Sequence, residues 1–437
     1  MTGHALPDAC ALLDGFRSGS TDPARIMADH LAAIETHNPS LNAFSARAED
    51  VLSRAEAARD RWAAGTPLGP LDGLPVIVKD NLVAAGLPTA WGNAALARRV
   101  PDHDEVPVAR LRQAGAIVLG KGNTPEFAVE GYTGNATFGV TGNPFDPALT
   151  PGGSSGGVVA AVASGMAAAG LATDGGGSIR RPCGYTGLWG LKPGIGTVAR
   201  GGGLPQVLLD FETVGPVCRS ARDLALLQSV LFPLPAVASG PLRILAVARL
   251  PDAPCDPGIL GCFSETMERL RSLGHVVETG DLPLDLDPLN EVWGSIADIG
   301  LAHLARRDPA VMEAAADKYK AMAQRGAALT AVDLFAALTR VYALREAVRG
   351  LWGFDAVLMP TAAAMPWPAG EAFPDRIDGQ TVGPRGHAVY TGWVNAAGLP
   401  ALAFPAGRVA GLPVGMQLIA GPGAEARLLD VARQLDA

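Results

Sequence analysis

Six short apolar runs constrain the fold more than any other feature of the chain. LPVIVK ending at Lys79, AIVLGK ending at Lys121, RILAVA from Arg243, AVLMP from Ala356, ALAFP from Ala401 and GMQLIA from Gly415 are five or six residues each. Their length and their content of aliphatic residues suit strands buried on both faces. Between them lie stretches with helical spacing, near 104–114, 221–231, 258–273, 290–325, 331–351 and 424–436. Alternation of this kind along most of a chain predicts an α/β sandwich with a central, largely parallel or mixed sheet covered on both faces. The first seventy residues read as helices. STDPARIMADHLAAIETHNPSL carries a Ser/Thr/Asp cluster and Pro23 at its start, and a second helix is predicted at 46–64.

With 437 residues, 48% hydrophobic and 18% charged, the chain can bury a large core. The net charge of −8, with no basic cluster, argues against a nucleic acid or an anionic membrane as partner and favours a small-molecule substrate. A homodimer is compatible with the chain. Five scattered cysteines, an odd number without C-x-x-C spacing, suit a reducing cytosol and give no zinc site, and no cofactor or metal is expected. The N-terminus lacks the basic start and apolar core of a secretory signal. The apolar stretch 158–172 falls short of the roughly twenty residues a span needs and is expected to be a buried helix. Asn135-Ala136-Thr137 matches a glycosylation sequon, as short patterns often do by chance. The Pro/Ala-rich 231–243 is the best candidate for a seam, with a surface loop the preferred reading.

Glycine wraps serine in TPGGSSGG and again in TDGGGSIR, placing Ser154 and Ser178 twenty-four positions apart. Gly152-x-Ser154-x-Gly156 satisfies G-x-S-x-G, yet the downstream His275, His303 and His387 stand in no setting that marks a base. Lys79, at the end of a predicted buried strand, is another base: desolvation disfavours its ammonium form. The competing reading has it snorkel to solvent or pair with Asp80. Gly175, Gly176 and Gly177 allow successive backbone N–H groups to turn inward beside Ser178, making an anion nest fit to serve as an oxyanion hole. Neither phosphate-loop pattern is present to suggest a nucleotide. Cys183 reads as a small buried residue without reactivity.

LDGLPVIVKDN, PGGSSGG, TDGGGSIRRPCGYTGLWGLKPG and NAAGLPALAFPAG...GLPVGMQLIAG, in that order, resemble the amidase signature family from about residue 68 to the C-terminus. The resemblance implies one α/β/α domain over 1–437 around a mixed sheet of about eleven strands. In it 1–68 is a helical segment, 69–230 the catalytic core, and 231–437 completes the sheet and pocket. It implies amide hydrolysis through a Ser-cisSer-Lys triad of Ser178 as nucleophile, Ser154 behind a cis peptide as relay and Lys79 as base. Gly175, Gly176, Gly177 and Ser178 N–H would hold the oxyanion, with Ser155, Asp174 and Arg180 supporting the site. Val158, KPGIG and Gly175 depart from the family pattern. Segments that line family pockets here offer Trp91, Glu126, Phe127, Tyr132, Phe145, Trp367, Phe373, Tyr390 and Trp393, and the expected substrate is a small aryl or alkyl amide. The alternatives are the glutaminase subunit of a tRNA-dependent amidotransferase, and a catalytically silent binding protein.

Overall fold

The computed structural model describes residues 7–235, 237 and 240–437; residues 236, 238 and 239, inside the expected seam, and the first six residues lie outside the described part. Eleven strands form one sheet. Their order in space is Phe44–Arg47, Ile117–Gly122, Pro75–Lys79, Ala169–Asp174, Thr213–Cys218, Trp189–Lys192, Ala401–Val409, Leu412–Ala420, Ala356–Pro360, Arg243–Ala246, Val276–Thr279. Two parallel groups flank an antiparallel centre. Pro75–Lys79 is parallel to both its neighbours, as is Arg243–Ala246, whereas every pairing from Ala169–Asp174 through to Ala356–Pro360 is antiparallel.

The six expected strands all lie in this sheet, and strand periodicity explains how it divides the core. Val76 and Val78 belong to one apolar cluster and Ile77 to the other, on opposite faces. Met27, Ile34, Val158 and Val162 cover the Ile77 face, while Leu111, Leu224 and Leu227 pack on the other side.

Three expectations change. The helix predicted at 46–64 begins only at Val51, because Phe44–Arg47 pairs antiparallel with Ile117–Gly122 as an edge strand. The stretch 158–172 divides into the helix Gly156–Ala163 and the strand Ala169–Asp174. Its apolar residues are buried in either state, so composition hides the break. The predicted 290–325 helix is three, Asp287–Arg307, Pro309–Glu313 and Asp317–Ala328, with Pro309 starting the second. The helix Pro23–Leu41 starts as read, with Asp22 accepting from the N–H groups of Ala24 and Arg25 at 2.9 and 3.0 Å. No single helix among the described residues is long and apolar enough to cross a membrane.

Candidate active site

Parallel pairing brings Lys79 and Thr173 out together at the carboxyl ends of adjacent strands, with Val78 beside Leu171. This is where open α/β sheets present ligand sites. Lys79 is 0% exposed. Its Nζ lies 2.8 Å from Ser154 Oγ, 2.8 Å from Thr173 Oγ1 and 3.1 Å from the Thr173 carbonyl oxygen. It neither snorkels nor pairs with Asp80, whose carboxylate accepts instead from the Ala90 and Gly92 N–H groups. Burial lowers the Lys79 pKa to about 7, against the opposing pull of Glu212 and Asp174, so amine and ammonium coexist near neutrality.

As an amine, Nζ has two N–H bonds for the two Thr173 oxygens and one lone pair for the Ser154 hydroxyl. The surrounding bonds favour that assignment. Thr173 Oγ1 donates to Glu212 Oε2 at 3.2 Å, which leaves its oxygen to accept from Lys79 and from Asn81 Nδ2 at 3.0 Å. Arg200 holds Glu212 in turn, Nη1 to Oε1 at 2.7 Å.

Ser154 sits on the loop leading into Gly156–Ala163, and the Gly153–Ser154 peptide is cis. Thr124 Oγ1 donates to the Ser154 carbonyl at 2.8 Å and Thr133 Oγ1 to the Gly152 carbonyl at 2.9 Å. Ser155 Oγ donates to the Thr173 carbonyl at 3.2 Å, the oxygen that also faces Lys79.

Where the strand Ala169–Asp174 ends, Gly175–Ser178 turns back toward the helix Arg180–Thr186. Asp174 organises that turn. Its carboxylate accepts from the N–H groups of Gly177, Ile179 and Arg180 at 2.6, 3.1 and 3.3 Å, and pairs with Arg180 Nε and Nη2 at 3.0 Å each. Burial pushes the Asp174 carboxyl up, but Arg180, Lys192 and Asn395 more than reverse it, and it stays ionised far below the ordinary carboxylate range. Asn395 Nδ2 donates to Asp174 Oδ1 at 3.0 Å and its Oδ1 accepts from Arg180.

Arg181 ties the two serine loops together, donating to the carbonyls of Gly176 and Gly153 and to Thr391 Oγ1. Gly177 has a φ of 115°, and a Cβ there would strike both Arg181 Nη1 and Thr391 Oγ1, so only glycine fits while Arg181 bridges the loops. Of the four N–H groups expected to hold an oxyanion, one is already bonded. The Gly177 N–H is committed to Asp174, whereas those of Gly175, Gly176 and Ser178, and Ser178 Oγ itself, have no hydrogen-bond partner among the described residues. Such a set of free donors beside a hydroxyl can receive negative charge developing on a carbonyl oxygen.

The expected pocket aromatics mostly do not converge here. Trp91 and Phe127 pack edge to face at 5.4 Å, Phe127 meets Tyr319 at 5.3 Å, and all three are buried in the core with Trp393. Glu126 is tied to Asn93 and to the Ala316 N–H. Tyr390 donates to the Ala248 carbonyl, and Trp367 packs against Tyr185. Phe145 lies under Arg408, next to Asn143, which bonds to the far end of the helix from Ser178. Apolar rings in a dense core find one another before they find a ligand. Tyr132 does abut the Ser154 loop, its backbone filling the space a Cβ on Gly153 would need. Against the Ser178 loop stand instead Trp293, beside Gly176, and Leu208, beside Gly175. Phe211 stacks on Trp293 at 5.6 Å. Cys183 is fully buried, and burial raises its thiol well above the ordinary range. Of the three histidines, His275 accepts from the Leu242 N–H, and His387 packs on Trp367.

The family model described as Amidase matches residues 25–429. The chain belongs to the amidase signature family. It is thereby an amidohydrolase acting on C–N amide bonds. A crystal structure described as that of an amidase superposes with a TM-score of 0.90 at 30% identity, covering 98% of this chain and 99% of that one. A bacterial aryl acylamidase of the amidase signature family does so at 0.87 and 26%, covering 97% and 94%. A glutamyl-tRNA(Gln) amidotransferase subunit from Synechococcus sp. is 34% identical, over 96% of this chain and 94% of its own length. That relative corrects one expectation. A partner set of small molecules alone, without nucleic acid, does not stand for an amidase signature chain whose end-to-end relative is named as one subunit of a tRNA amidotransferase. Net charge misleads here because it averages the whole surface and says nothing of local contacts within an assembly.

Thr173, Glu212, Arg200, Asn395 and Trp293 escaped the reading of the sequence. Asn395 opens the motif NAAGLPALAFPAG and so carries a signal in the sequence. Thr173 likewise opens the motif TDGGGSIR, whereas Glu212, Arg200 and Trp293 lie outside every motif.

Proposed function

We propose that the chain hydrolyses the carboxamide of glutamine as the glutaminase subunit of an amidotransferase, through Ser178, Ser154 and Lys79. The observation that carries the chemistry is the 2.8 Å approach of the buried Lys79 Nζ to Ser154 Oγ. The match to a glutamyl-tRNA(Gln) amidotransferase relative across nearly the whole of both chains supports the substrate. Lys79, as the amine, takes the Ser154 proton while Ser154 takes that of Ser178, whose free hydroxyl turns toward it, and Ser178 Oγ forms a bond to the amide carbon. The N–H groups of Gly175, Gly176 and Ser178 receive the oxyanion. On collapse the C–N bond breaks, the proton returns from Lys79 through Ser154 to the leaving nitrogen, and ammonia departs. Water then repeats the sequence on the acyl-enzyme and releases the acid. Ser155, Asp174 and Arg180 hold the two loops in register for this relay.

A free-standing amidase for small amides is the second reading, favoured by the aromatic wall of Trp293 and Phe211 beside the Ser178 loop. Ammonia release separates the two. The glutaminase reading expects slow release from glutamine by the purified chain and a strong rise when companion subunits of a related amidotransferase are added. Rapid cleavage of anilides or alkyl amides, with glutamine untouched even beside those subunits, would refute it in favour of the free amidase.

A further inference from the structure

The acids around the Ser178 loop are already engaged, Asp174 with Arg180 and Glu212 with Arg200. Arg385 has no such partner. It is exposed on the chain ahead of the helix Gly392–Ala396, and neither a hydrogen bond nor a carboxylate reaches its guanidinium among the described residues. An aromatic shelf positions it: the guanidinium carbon is 5.0 Å from the Trp293 ring centroid. The same indole borders both the oxyanion loop and the Gly392 helix. A Cβ built on Gly176 would lie 3.1 Å from Trp293 Cζ2, and one on Gly392 would lie 3.5 Å from Trp293 Cη2 and 3.6 Å from Arg385 Nη2. Arg385 and the loop bearing Ser178 thus share one ring.

A second observation points the same way. His387, two residues on, is 3% exposed, yet neither of its ring nitrogens has a hydrogen-bond partner, and Arg181 Nε is likewise buried and unpartnered. Buried polar atoms of this kind are the exception in folded proteins and call for a polar visitor. The charges that act on His387 are both positive. Burial, with Arg181 and Arg385 nearby, lowers the His387 pKa to about 3, and Arg385 adds to the repulsion felt by Arg181. With Asp174 already held by Arg180, two guanidiniums beside a neutral imidazole leave positive charge on which an anion can settle.

We propose that Arg385, carried on Trp293, binds a carboxylate of the substrate, so that the preferred amides are those of short dicarboxylic acids and of ω-amide amino acids. This rests on, and sharpens, the glutaminase reading, and it assigns specificity to a residue outside the motifs. The guanidinium fork offers two parallel N–H donors to a carboxylate, which a methyl group cannot accept.

The test compares kcat/KM for glutaramate with that for valeramide, a neutral amide of the same chain length. Wild-type protein is expected to favour glutaramate. Arg385→Ala should lower the glutaramate-to-valeramide ratio by about 10- to 100-fold, the effect of losing hydrogen bonds to a charged group, and Arg385→Lys should fall between. Fluorophosphonate labelling of Ser178 in each variant checks that the site is assembled. A ratio unmoved by Arg385→Ala, or a wild-type protein that prefers valeramide or ignores glutaramate, overturns the assignment. Glutamine assayed in parallel keeps the two readings apart. A falling ratio without glutamine turnover, companion subunits included, removes the glutaminase reading alone; glutamine turnover with an unmoved ratio removes only the role of Arg385.

Discussion

Replacing Glu212 by Gln probes the base without touching it. Glu212 is the largest influence opposing the burial that lowers the Lys79 pKa to about 7. The two are linked through Thr173 Oγ1 by contacts of 2.8 and 3.2 Å, so the charges are at most about 6 Å apart. At an effective dielectric of about 20, unit charges at about 6 Å interact by about 3 kcal/mol, equivalent to about 2 pH units. Arg200, 2.7 Å from Glu212, cancels part of that field, leaving a shift of about one unit. The sign follows directly. Loss of the negative charge disfavours the ammonium, so the Lys79 pKa falls, while Gln still accepts from the Thr173 hydroxyl. The assay is the pH dependence of kcat/KM, whose acid limb reports the essential base of the free enzyme. Wild-type activity should rise through about pH 7, and the variant's limb should move about one unit lower. A limb that stays in place, or moves to higher pH, would refute Lys79 as the group being read.

Two stability predictions concern the Ser178 loop. Arg180→Ala leaves the fully buried Asp174 carboxylate without its pair, at a cost of about 3–5 kcal/mol in denaturant unfolding; a loss below about 1 kcal/mol would mean that Asn395 and the loop N–H groups suffice. Gly177→Ala forces a side chain into a backbone with φ of 115° and against Arg181 and Thr391. It should cost about 1–3 kcal/mol and slow fluorophosphonate labelling of Ser178, and unchanged labelling would show that the loop tolerates displacement.

Lys79, Ser154 and Ser178 are legible because each carries its own local signal: a charged residue closing an aliphatic run, and hydroxyls set among glycines. The groups that tune them have none. Thr173 opens TDGGGSIR but looks there like the end of a strand, and Glu212 comes after a loop; only the pairing of Pro75–Lys79 with Ala169–Asp174, and of that strand with Thr213–Cys218, brings them to the amine. The same limit explains the strands that were not read. Ala169–Asp174 continues an apolar run that begins as a helix, Trp189–Lys192 is four residues long, and Thr213–Cys218 contains glycine and proline. Phe44–Arg47 is defined by its partner rather than by its own pattern. Aromatic residues carry no signal for which of them borders the Ser178 loop, since Trp91, Phe127 and Trp393 are buried in the core while Trp293 reaches Gly176 from the helix Asp287–Arg307.

The most direct test of the relay is to trap the acyl-enzyme and locate it. Protein treated with a fluorophosphonate, or with an activated ester that deacylates slowly, is digested and mapped by mass spectrometry across a pH series. A single adduct is expected on Ser178, forming more slowly as pH drops below about 7 where Lys79 takes up its proton. An adduct on Ser154 or Cys183 instead, or undiminished labelling of the Ser178→Ala protein, would contradict the relay.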